Sequence, residues 1–475
     1  MKATSGHKSK DNLQFNWVVV FLLLPILFIV SYWKQFNGLY GSESHENYRI
    51  MQGLFTFLSG GAAQPSYHSP ILFPLAGAIV SLIIPKLFAL QFVSIVSAGV
   101  CYISFCRLLN QIYPEGTQRQ RYAFLILFLS PFYLKAAIVG LADMLSMAFL
   151  MIALLESYKW RNSRSSLSML FATCAAVLAV QTRYATFLLL LPVLPMIWTA
   201  VSKRFSILLI CIFAIIITYT PSIFFKGQEG LNLLLHPWLK EWSALNLFSS
   251  TFELNGNPEK YTLPNIAFVI STLLHPGYCL IGLLFIIVSL RLKFRLPLSW
   301  VISHFLFLLF IAGLPAQNLR YLLPAFPIAL LAFYPAYELI IFKFRTRNQR
   351  VAVYVIAVAI QILLAIKVIT PVIKYQQEEY VIATSLKLKP VTTLNTYAID
   401  PALRTYEIPQ EIVNMWSTPD MLYMNGDLLL FNKTRFKSED KNFVPYKNYV
   451  TLRNQGRLMF LNSYPNGWEL YRTKQ

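Results

Sequence analysis

Apolar residues occur in long runs along most of this chain. Stretches such as 18–30, 207–218 and 278–290 are apolar on every face, so they lack the alternation of a strand with one face in water. About 20 apolar residues are enough for a helix to cross the hydrocarbon layer of a bilayer. The pattern predicts a polytopic α-helical membrane protein, and it argues against a soluble enzyme, a disordered or collagen-like chain and an outer-membrane barrel.

Eleven of these runs are predicted to span the membrane. The connecting segments on the side of the N-terminus hold 18 Lys and Arg with only Asp11 and Glu115, whereas those on the opposite side hold 8 basic and 6 acidic residues. Because Lys- and Arg-rich connectors stay in the cytoplasm, the N-terminus is predicted to be cytoplasmic. The predicted spans are 16–33, 87–109, 122–139, 143–158, 167–182, 185–200, 205–225, 276–290, 298–314, 321–342 and 351–371.

This topology requires that the apolar stretch 70–84 does not span, so we predict a helix that lies in, or re-enters, the outer interface. It also places the polar C-terminal region outside the cytoplasm. We therefore predict a transmembrane domain at 1–371, whose outer loop 34–86 carries juxtamembrane helices, and a small extracytoplasmic α/β domain at 372–475. Within the latter we expect strands at 391–394, 427–431 and 449–452 and a helix near 401–406.

Composition supports the membrane assignment, since 56% of the residues are hydrophobic and 13% are charged. The formal net charge is +20, but the cytoplasmic connectors account for most of it, so it does not indicate nucleic-acid binding. The five cysteines all fall in apolar runs without the spacing of a metal site or disulfide framework. They are interpreted as small apolar packing residues.

Polar and ionisable side chains are costly at membrane depth, and here they gather at the predicted outer ends of the spans. They occupy the first outer loop, the turns before the fourth and sixth spans, and the turn before the tenth. Such a group on one side of an apolar protein predicts a site at the outer interface. The side chains are Glu43, His45, Glu46, Tyr48, Tyr67, His68, Lys135, Asp143, Arg183, Gln317, Arg320 and Tyr321.

The order of these elements resembles the GT-C glycosyltransferases. The likeness rests on an acidic outer loop followed by a helix, Tyr-His-Ser-Pro at 67–70, Asp143 at the head of the fourth span and Arg-Tyr-Leu-Leu-Pro-Ala-Phe-Pro from 320. The most similar branch contains bacterial enzymes related to protein O-mannosyltransferases and the lipid A aminoarabinose transferase. The resemblance implies a GT-C fold and a sugar donor linked to polyprenyl phosphate. One departure is that His68 and Ser69 stand where the family often has a basic residue before the proline.

Direct, inverting displacement at a sugar needs one carboxylate to take the proton of the acceptor hydroxyl. The resemblance places this base at Glu46, with Glu43 as the alternative, and gives Asp143 a role in acceptor or metal binding. A solvated loop and a helix cap are the simpler interpretations of these carboxylates. Mg²⁺ or Mn²⁺ shared by Glu46 and Asp143 stays open, because no local ligand set of the usual density exists.

The departing phosphate needs cations or hydrogen-bond donors. Arg320, Arg183 and Lys135 are the candidates, although long basic side chains at an interface also extend towards lipid headgroups without binding substrate. The remaining polar residues are predicted contacts of the sugar or the phosphate. They are His68, Tyr67, Tyr48, His45, Tyr321 and Gln317.

The predicted function is an enzyme of the cell inner membrane that moves a monosaccharide from a polyprenyl-phosphate carrier to an extracytoplasmic glycan, lipid or protein. A secondary transporter or lipid flippase is one alternative, which would show paired halves and ionisable residues at the bilayer midplane. An O-antigen polymerase or ligase is another, and it would carry a large Arg-rich late outer loop. The loop 226–264 has Lys226, Lys240 and Lys260 as its only basic residues.

Overall fold

The computed structural model describes residues 25–61, 70–114, 124, 127–202, 204–226, 241–254, 257–279, 282–289, 296–315, 317–344, 346–416, 423–434 and 444–474. The chain divides into two compact units. The first comprises Met1–Gly38, Ile50–Ser250 and Tyr261–Thr370. The second comprises Leu39–Arg49, Thr251–Lys260 and Pro371–Gln475.

Helices dominate the described residues, as the apolar runs predict. Three short 3₁₀ helices, Tyr184–Leu190, Ala244–Leu247 and Leu319–Ala325, interrupt them. The α-helices are α1 Gly41–Leu58, α2 Leu72–Val80, α3 Lys86–Ile112, α4 Pro131–Ile138, α5 Ala142–Ser163, α6 Ser166–Thr182, α7 Leu194–Val201, α8 Phe205–Lys226, α9 Asn265–Leu274, α10 Gly282–Ser289, α11 Leu298–Ala312, α12 Phe326–Phe342, α13 Arg347–Lys387, α14 Asp400–Thr405 and α15 Val444–Asn454.

Several of these helices can cross a membrane. Among the described residues, 4 are long and apolar enough, and up to 6 if each of two bent pairs forms one span. The bent pairs are α4 with α5, at 113°, and the 3₁₀ helix Tyr184–Leu190 with α7, at 64°. The first predicted span, 16–33, begins outside the described residues, and the eleven-span topology stays a prediction.

The stretch that was predicted not to span contains the short helix α2. It has 9 residues, which corresponds to about 14 Å of helix against about 30 Å of hydrocarbon. Phe73, Pro74, Gly77 and Ala78 of this helix are buried. Its length is therefore that of an interfacial or re-entrant helix.

The first unit is held together by apolar side chains between its helices. Trp300 and Tyr133 are fully buried, and the rings of Phe105 and Phe128 stack with centroids 4.3 Å apart. The Tyr133 hydroxyl donates to the Ala98 carbonyl oxygen at 2.5 Å, so its polar end is satisfied in the core. Between helices in a bilayer such side chains stabilise the fold mainly through close van der Waals packing, because lipid is as apolar as the protein interior.

The second unit contains a five-stranded mixed sheet, in agreement with the small α/β region predicted for the C-terminus. The strand order is β4–β3–β5–β7–β6, with β3 parallel to β4 and β5, and β7 antiparallel to β5 and β6. A separate hairpin pairs β1 with β2. The strands are β1 Thr251–Leu254, β2 Asn257–Lys260, β3 Thr393–Thr396, β4 Glu411–Asn414, β5 Leu428–Asn432, β6 Leu458–Ser463 and β7 Trp468–Thr473.

The central strand β5 is buried along its whole length, which explains its run of apolar residues. Leu428 and Leu430 point into one core, which they share with residues from the end of α13 and from α14. Leu429 and Phe431 point into the other core, where the ring of Tyr449 from α15 stacks on Phe431 at 4.4 Å. Helices therefore cover both faces of the sheet.

One sequence-based expectation for this region is wrong. The predicted strand 449–452 is part of α15, because Pro445, Asn448, Tyr449 and Leu452 are buried with helical spacing. The predicted domain boundary at 371/372 stays a prediction; it falls inside α13, which continues to Lys387, and one residue from Pro371, where the second unit resumes. The helix near 401–406 and the strands near 391–394 and 427–431 are present within two or three residues.

Candidate ionic site in the first unit

Asp143 lies in the first turn of α5, directly after the 113° break that follows α4. Its side chain is almost completely buried, with 2% exposed. The unpaired amides at a helix N-terminus favour a carboxylate at this position. The N-terminus of α5 therefore stabilises the buried Asp143 carboxylate in addition to any nearby cation.

The connection between α4 and α5 is tightly held. The Gly140 amide donates to the Gly38 carbonyl oxygen at 2.8 Å, and the Ser94 hydroxyl donates to the Leu141 carbonyl oxygen at 3.3 Å. The Gln91 side-chain amide donates to the Ile138 carbonyl oxygen at 2.9 Å. These bonds fix the backbone that leads into Asp143.

Gly38 allows the close approach in this connection. Its φ of +84° lies in the left-handed region, and a Cβ atom there would stand 2.7 Å from the Cβ of Gln91 and 3.0 Å from the Ile138 carbonyl oxygen. Other L-residues would suffer both backbone strain and a clash. Gly38 is therefore required for the path of the chain next to Asp143.

Arg183 and Arg320 both stand where a helix gives way to another conformation. Arg183 follows the last residue of α6 with an extended backbone and precedes the 3₁₀ helix Tyr184–Leu190. Arg320 lies in the 3₁₀ helix Leu319–Ala325, whose first turn is capped by the Asn318 side chain accepting from the Arg320 amide at 3.0 Å. Both guanidinium groups are thus presented from irregular backbone between apolar helices.

The two guanidinium groups converge on one carboxylate. Arg183 Nη1 pairs with Asp143 Oδ1, and Arg320 Nε lies 3.1 Å from Asp143 Oδ2. The Tyr321 ring lies beneath both cations, with its centroid 5.3 Å from the Arg183 guanidinium carbon and 5.7 Å from that of Arg320. The arginine side chains are 15% and 24% exposed, so solvent reaches the cations but not the carboxylate.

Lys135 adds a further positive charge, because it lies close enough to Arg320 for the two charges to repel each other. Among the described residues, the cluster of Lys135, Asp143, Arg183 and Arg320, called the ionic cluster below, holds three basic groups and one acidic group. An excess of partly buried positive charge attracts anions. An anion of the right size would find a prepared site here.

A narrow apolar crevice lies beside this cluster. Tyr278, Leu322, Phe326 and Phe333 are among the side chains that line it. The Tyr278 hydroxyl donates to the Leu319 carbonyl oxygen, next to Arg320 in the chain. Charged and apolar surfaces therefore adjoin within the first unit.

The carboxylates predicted on the first outer loop belong to the second unit. Glu43 is exposed in the first turn of α1. The Glu46 side chain is 44% exposed and accepts two bonds from Arg49, at 3.1 Å from Nε and 2.7 Å from Nη2. Glu46 is thus accessible to solvent, whereas Asp143 is not.

His45 is buried in the second unit, with 2% exposed. Its Nδ1 lies 3.0 Å from the Thr405 hydroxyl and its Nε2 lies 3.3 Å from Glu379 Oε2. Both ring nitrogens are therefore engaged by groups of the same unit, so the ring is poorly placed for the predicted substrate contact. Tyr48, also a predicted contact, is buried with 4% exposed.

Of three other predicted contacts, only Gln317 lies within the described residues. The Gln317 side-chain amide donates to the Leu263 carbonyl oxygen at 2.6 Å, which ties down the segment before Arg320. Tyr67 and His68 lie outside the described residues.

The described residues do not fit the Mg²⁺ or Mn²⁺ site that the sequence left open. Within the ranges that the structure describes, no group of three or more His, Cys, Asp and Glu side chains could hold a metal ion. Asp143 already has a guanidinium at each oxygen, and these cations would repel a divalent metal. The reaction is therefore considered through the chain's own side chains.

Solved structures provide the decisive comparison for the fold. ArnT from Cupriavidus metallidurans in the apo state superposes with a TM-score of 0.60 at 13% identity, over 96% of this chain and 98% of that chain. The same protein bound to undecaprenyl phosphate gives 0.62 at 12% identity, over 96% and 97%. ArnT is a lipid A aminoarabinose transferase of the GT-C superfamily.

The chain has the GT-C fold. This confirms the fold expected from the resemblance in the sequence. The apo oligosaccharyltransferase of Archaeoglobus fulgidus is a more distant match, with a TM-score of 0.45 at 12% identity over 86% of this chain and 65% of that chain. No protein-family model and no curated protein matches the sequence.

Within this GT-C fold, sequence reasoning found the charged members of the ionic cluster but missed the residues that hold their backbones. Gln91 lies within the predicted span 87–109 and Asn265 lies before the predicted span 276–290, and neither was predicted to have a role at the site. The available signal was the residue type, because a lone amide beside an apolar run must find hydrogen-bond partners when it is buried.

Proposed function

We propose that this chain is an integral-membrane glycosyltransferase that transfers a monosaccharide, with inversion, from a polyprenyl-phosphate carrier to an extracytoplasmic acceptor. The acceptor is a glycan, a lipid or a protein of the cell envelope. The asymmetry of basic residues between the connectors supports a site on the outer face of the inner membrane. The GT-C fold is compatible with this activity.

The observation that carries the proposal is the excess of positive charge in the ionic cluster. Arg183 and Arg320 pair with a single carboxylate, Asp143, and Lys135 lies near Arg320. A polyprenyl-phosphate sugar is a phosphodiester with one negative charge, and the departing polyprenyl phosphate gains a second as the bond to the sugar breaks. A cluster with surplus cations therefore stabilises the leaving group more than the bound donor, as catalysis requires.

A lipid carrier also suits the surroundings of the cluster. Apolar side chains, among them Tyr278, Leu322 and Phe326, adjoin the backbone of Arg320, so apolar surface lies next to the charged groups, although the crevice between them, about 10 Å³, is too small to hold a hydrocarbon tail. ArnT from Cupriavidus metallidurans binds undecaprenyl phosphate in the same fold. Both observations support a polyprenyl phosphate over a water-soluble sugar phosphate.

The two candidate bases differ in their surroundings, and the difference favours Glu46. Each carboxylate oxygen of Asp143 already pairs with a guanidinium group, so Asp143 is poorly placed to take a proton from an acceptor hydroxyl. Glu46 is 44% exposed and has only a partly exposed pair with Arg49. We assign proton transfer from the acceptor hydroxyl to Glu46, with Glu43 as the alternative, and the organisation of the phosphate-binding arginines to Asp143.

The test incubates the purified protein with undecaprenyl-phosphate sugars labelled in the sugar and with candidate acceptors. We expect label to leave the lipid and appear on an acceptor. Movement of intact labelled lipid across a vesicle membrane, without loss of the sugar, would instead indicate a transporter or flippase. Transfer from a pyrophosphate-linked oligosaccharide alone would indicate a polymerase or ligase.

Variants test the assigned base within the same assay. Glu46→Ala should abolish transfer while expression stays intact, whereas Glu156→Ala should remain active because Glu156 pairs only with Lys159 on α5. An active Glu46→Ala/Asp143→Ala double variant would reject both carboxylates as part of the machinery.

A further inference from the structure

Two buried amide side chains each bond the end of a helix that is followed, a few residues later, by a member of the ionic cluster. The Gln91 side-chain amide donates to the carbonyl oxygen of Ile138, the last residue of α4. The Asn265 amide donates to the carbonyl oxygens of Ala312, the last residue of α11, at 3.0 Å and of Leu314 at 2.7 Å. Both residues are buried, with 0% and 1% exposed.

The last carbonyl groups of a helix have no partner inside the helix, so each must be satisfied from elsewhere. Gln91 and Asn265 satisfy them at the two helix ends from which the chain continues towards charged residues. Asp143 follows Ile138 by five residues, and Arg320 follows Ala312 by eight. Each amide therefore anchors the start of a short connection that ends at a member of the ionic cluster.

These amides are not arranged for maximum stability. The side-chain carbonyl oxygens of Gln91 and Asn265 have no hydrogen-bond partner among the described residues. A buried acceptor without a partner usually costs about 1–3 kcal/mol. The donor N–H groups must offset this cost; Gln410 of the second unit also has an unpartnered side-chain oxygen among the described residues, so what distinguishes Gln91 and Asn265 is the connection that each one anchors.

We propose that Gln91 and Asn265 are positioning residues for the phosphate site, acting through the backbones that carry Asp143 and Arg320. The inference rests on the proposed function, since it assigns the two amides to the same anion site. Neither side chain touches the ligand in this view. Their contribution is the relative placement of the carboxylate and the guanidinium group.

The chain provides a matched control in its other unit. The Gln410 side-chain amide, with 4% of the residue exposed, donates to the carbonyl oxygens of Leu386, Lys389 and Pro390 at 2.8, 3.3 and 3.2 Å. It thus caps the end of α13 in the same way. The connection that it anchors leads into strand β3 and carries none of the ionic cluster.

The experiment compares Gln91→Met, Asn265→Leu and Gln410→Met in the full-length protein. Each variant keeps the size of the side chain and removes its donors. Thermal unfolding, hydrogen–deuterium exchange and the binding of undecaprenyl phosphate are measured on each. We expect faster exchange at 139–143 in Gln91→Met, at 313–320 in Asn265→Leu and at 388–392 in Gln410→Met.

Binding should separate the first two variants from the third. We expect the affinity for undecaprenyl phosphate to fall at least about tenfold in Gln91→Met and Asn265→Leu, because small displacements of binding groups are costly. It should stay within about twofold of the unmodified protein in Gln410→Met, whose connection lies outside the cluster. If Asn265→Leu does not fold, Asn265→Ser keeps one donor and should lose roughly threefold.

Several outcomes would overturn the inference. Faster local exchange with unchanged affinity in Gln91→Met and Asn265→Leu would show that both residues cap helix ends without positioning the phosphate site. An equal loss of affinity in Gln410→Met would attribute the effect to general destabilisation. If the unmodified protein does not bind the lipid, the proposed function fails, and the exchange data alone then decide whether the two amides hold their connections.

Discussion

The two units of this protein each bury charged groups, but they do so in different ways. In the second unit, His45 lies between Glu379 and Thr405, all from the same unit, and each ring nitrogen has one partner. In the first unit, Asp143 faces Arg183 and Arg320, with Lys135 nearby. The first arrangement is a closed pair, whereas the second has more cations than anions.

This difference separates a structural role from a binding role. A closed buried pair is satisfied without any further group, so its removal should cost stability and little else. A cluster with more cations than anions attracts an anionic ligand, so its removal should cost binding and catalysis. The variants described next, from the largest expected effect to the smallest, test whether this distinction holds.

The largest effect is expected for Asp143→Ala. Two guanidinium groups would lose their shared counter-ion and repel each other, so the phosphate site would lose its geometry. We expect transfer from undecaprenyl-phosphate sugars to fall by about 10³-fold or more, with a lower Tm, as measured by the labelled-sugar assay and thermal unfolding. Substantial activity in this variant would contradict the binding role that distinguishes the ionic cluster from the His45 pair.

Arg320→Met should have the next largest effect. Loss of one cation is expected to reduce transfer by about 10²–10³-fold and to weaken undecaprenyl phosphate binding, while Arg320→Lys should recover only part because an ammonium lacks the planar fork. Arg350→Met is the control, since the Arg350 Nε donates to the Phe344 carbonyl oxygen away from the cluster. Equal losses in both variants would contradict a local role.

His45→Ala should affect stability rather than binding. Removing the ring leaves the buried Glu379 without its His45 contact and is expected to cost about 2–3 kcal/mol, seen as a lower Tm. Thr405→Val, which removes one hydroxyl, should cost less. Undecaprenyl phosphate affinity at a temperature where the protein is folded should be nearly unchanged, and a large loss would place this pair with the binding machinery.

Asp400 provides the smallest and most pH-dependent test. Partial burial raises the pKa of this carboxyl, opposed by the hydrogen bond from Asn414 at 3.3 Å. The folded state therefore favours the protonated form, so the contribution to stability is present below the ordinary Asp pKa and is lost as the pH rises through the raised value. Asp400→Asn has no titrating carboxyl at this position, so it does not lose this stability as the pH rises.

The Tm of Asp400→Asn relative to the unmodified protein should consequently increase as the pH is raised from about 4 to 7. Glu407→Gln, at an exposed carboxylate, is the control for a change in net charge. A Tm difference that is independent of pH would exclude the proposed origin in burial.

Sequence reasoning reached the fold because apolar runs and the order of polar segments are local features. It also found Asp143, Arg183 and Arg320, since charges are rare in apolar spans and need a reason to be there. It did not find the partners of His45, which lie 334 and 360 residues away in the chain. Contacts of this range depend on tertiary packing, which the sequence pattern around residue 45 does not contain.

Amphipathic patterns were also less informative in the second unit. The strand predicted at 449–452 is helical because four buried residues with helical spacing face the sheet. Strands β4, β6 and β7 were not predicted. The edge strands β4 and β6 contain no fully buried residue, so they lack the alternation of buried and exposed positions that normally indicates a strand.

The contact between Gly38 and Gly140 has a consequence for genetics. Adding a single methyl group at residue 38 would push against Gln91 and against the backbone that leads into Asp143. Random mutagenesis selected for loss of the envelope modification should therefore recover substitutions at this glycine together with those of the charged residues. Such variants would fail through the backbone next to Asp143 and not through a lost side chain, because glycine has none.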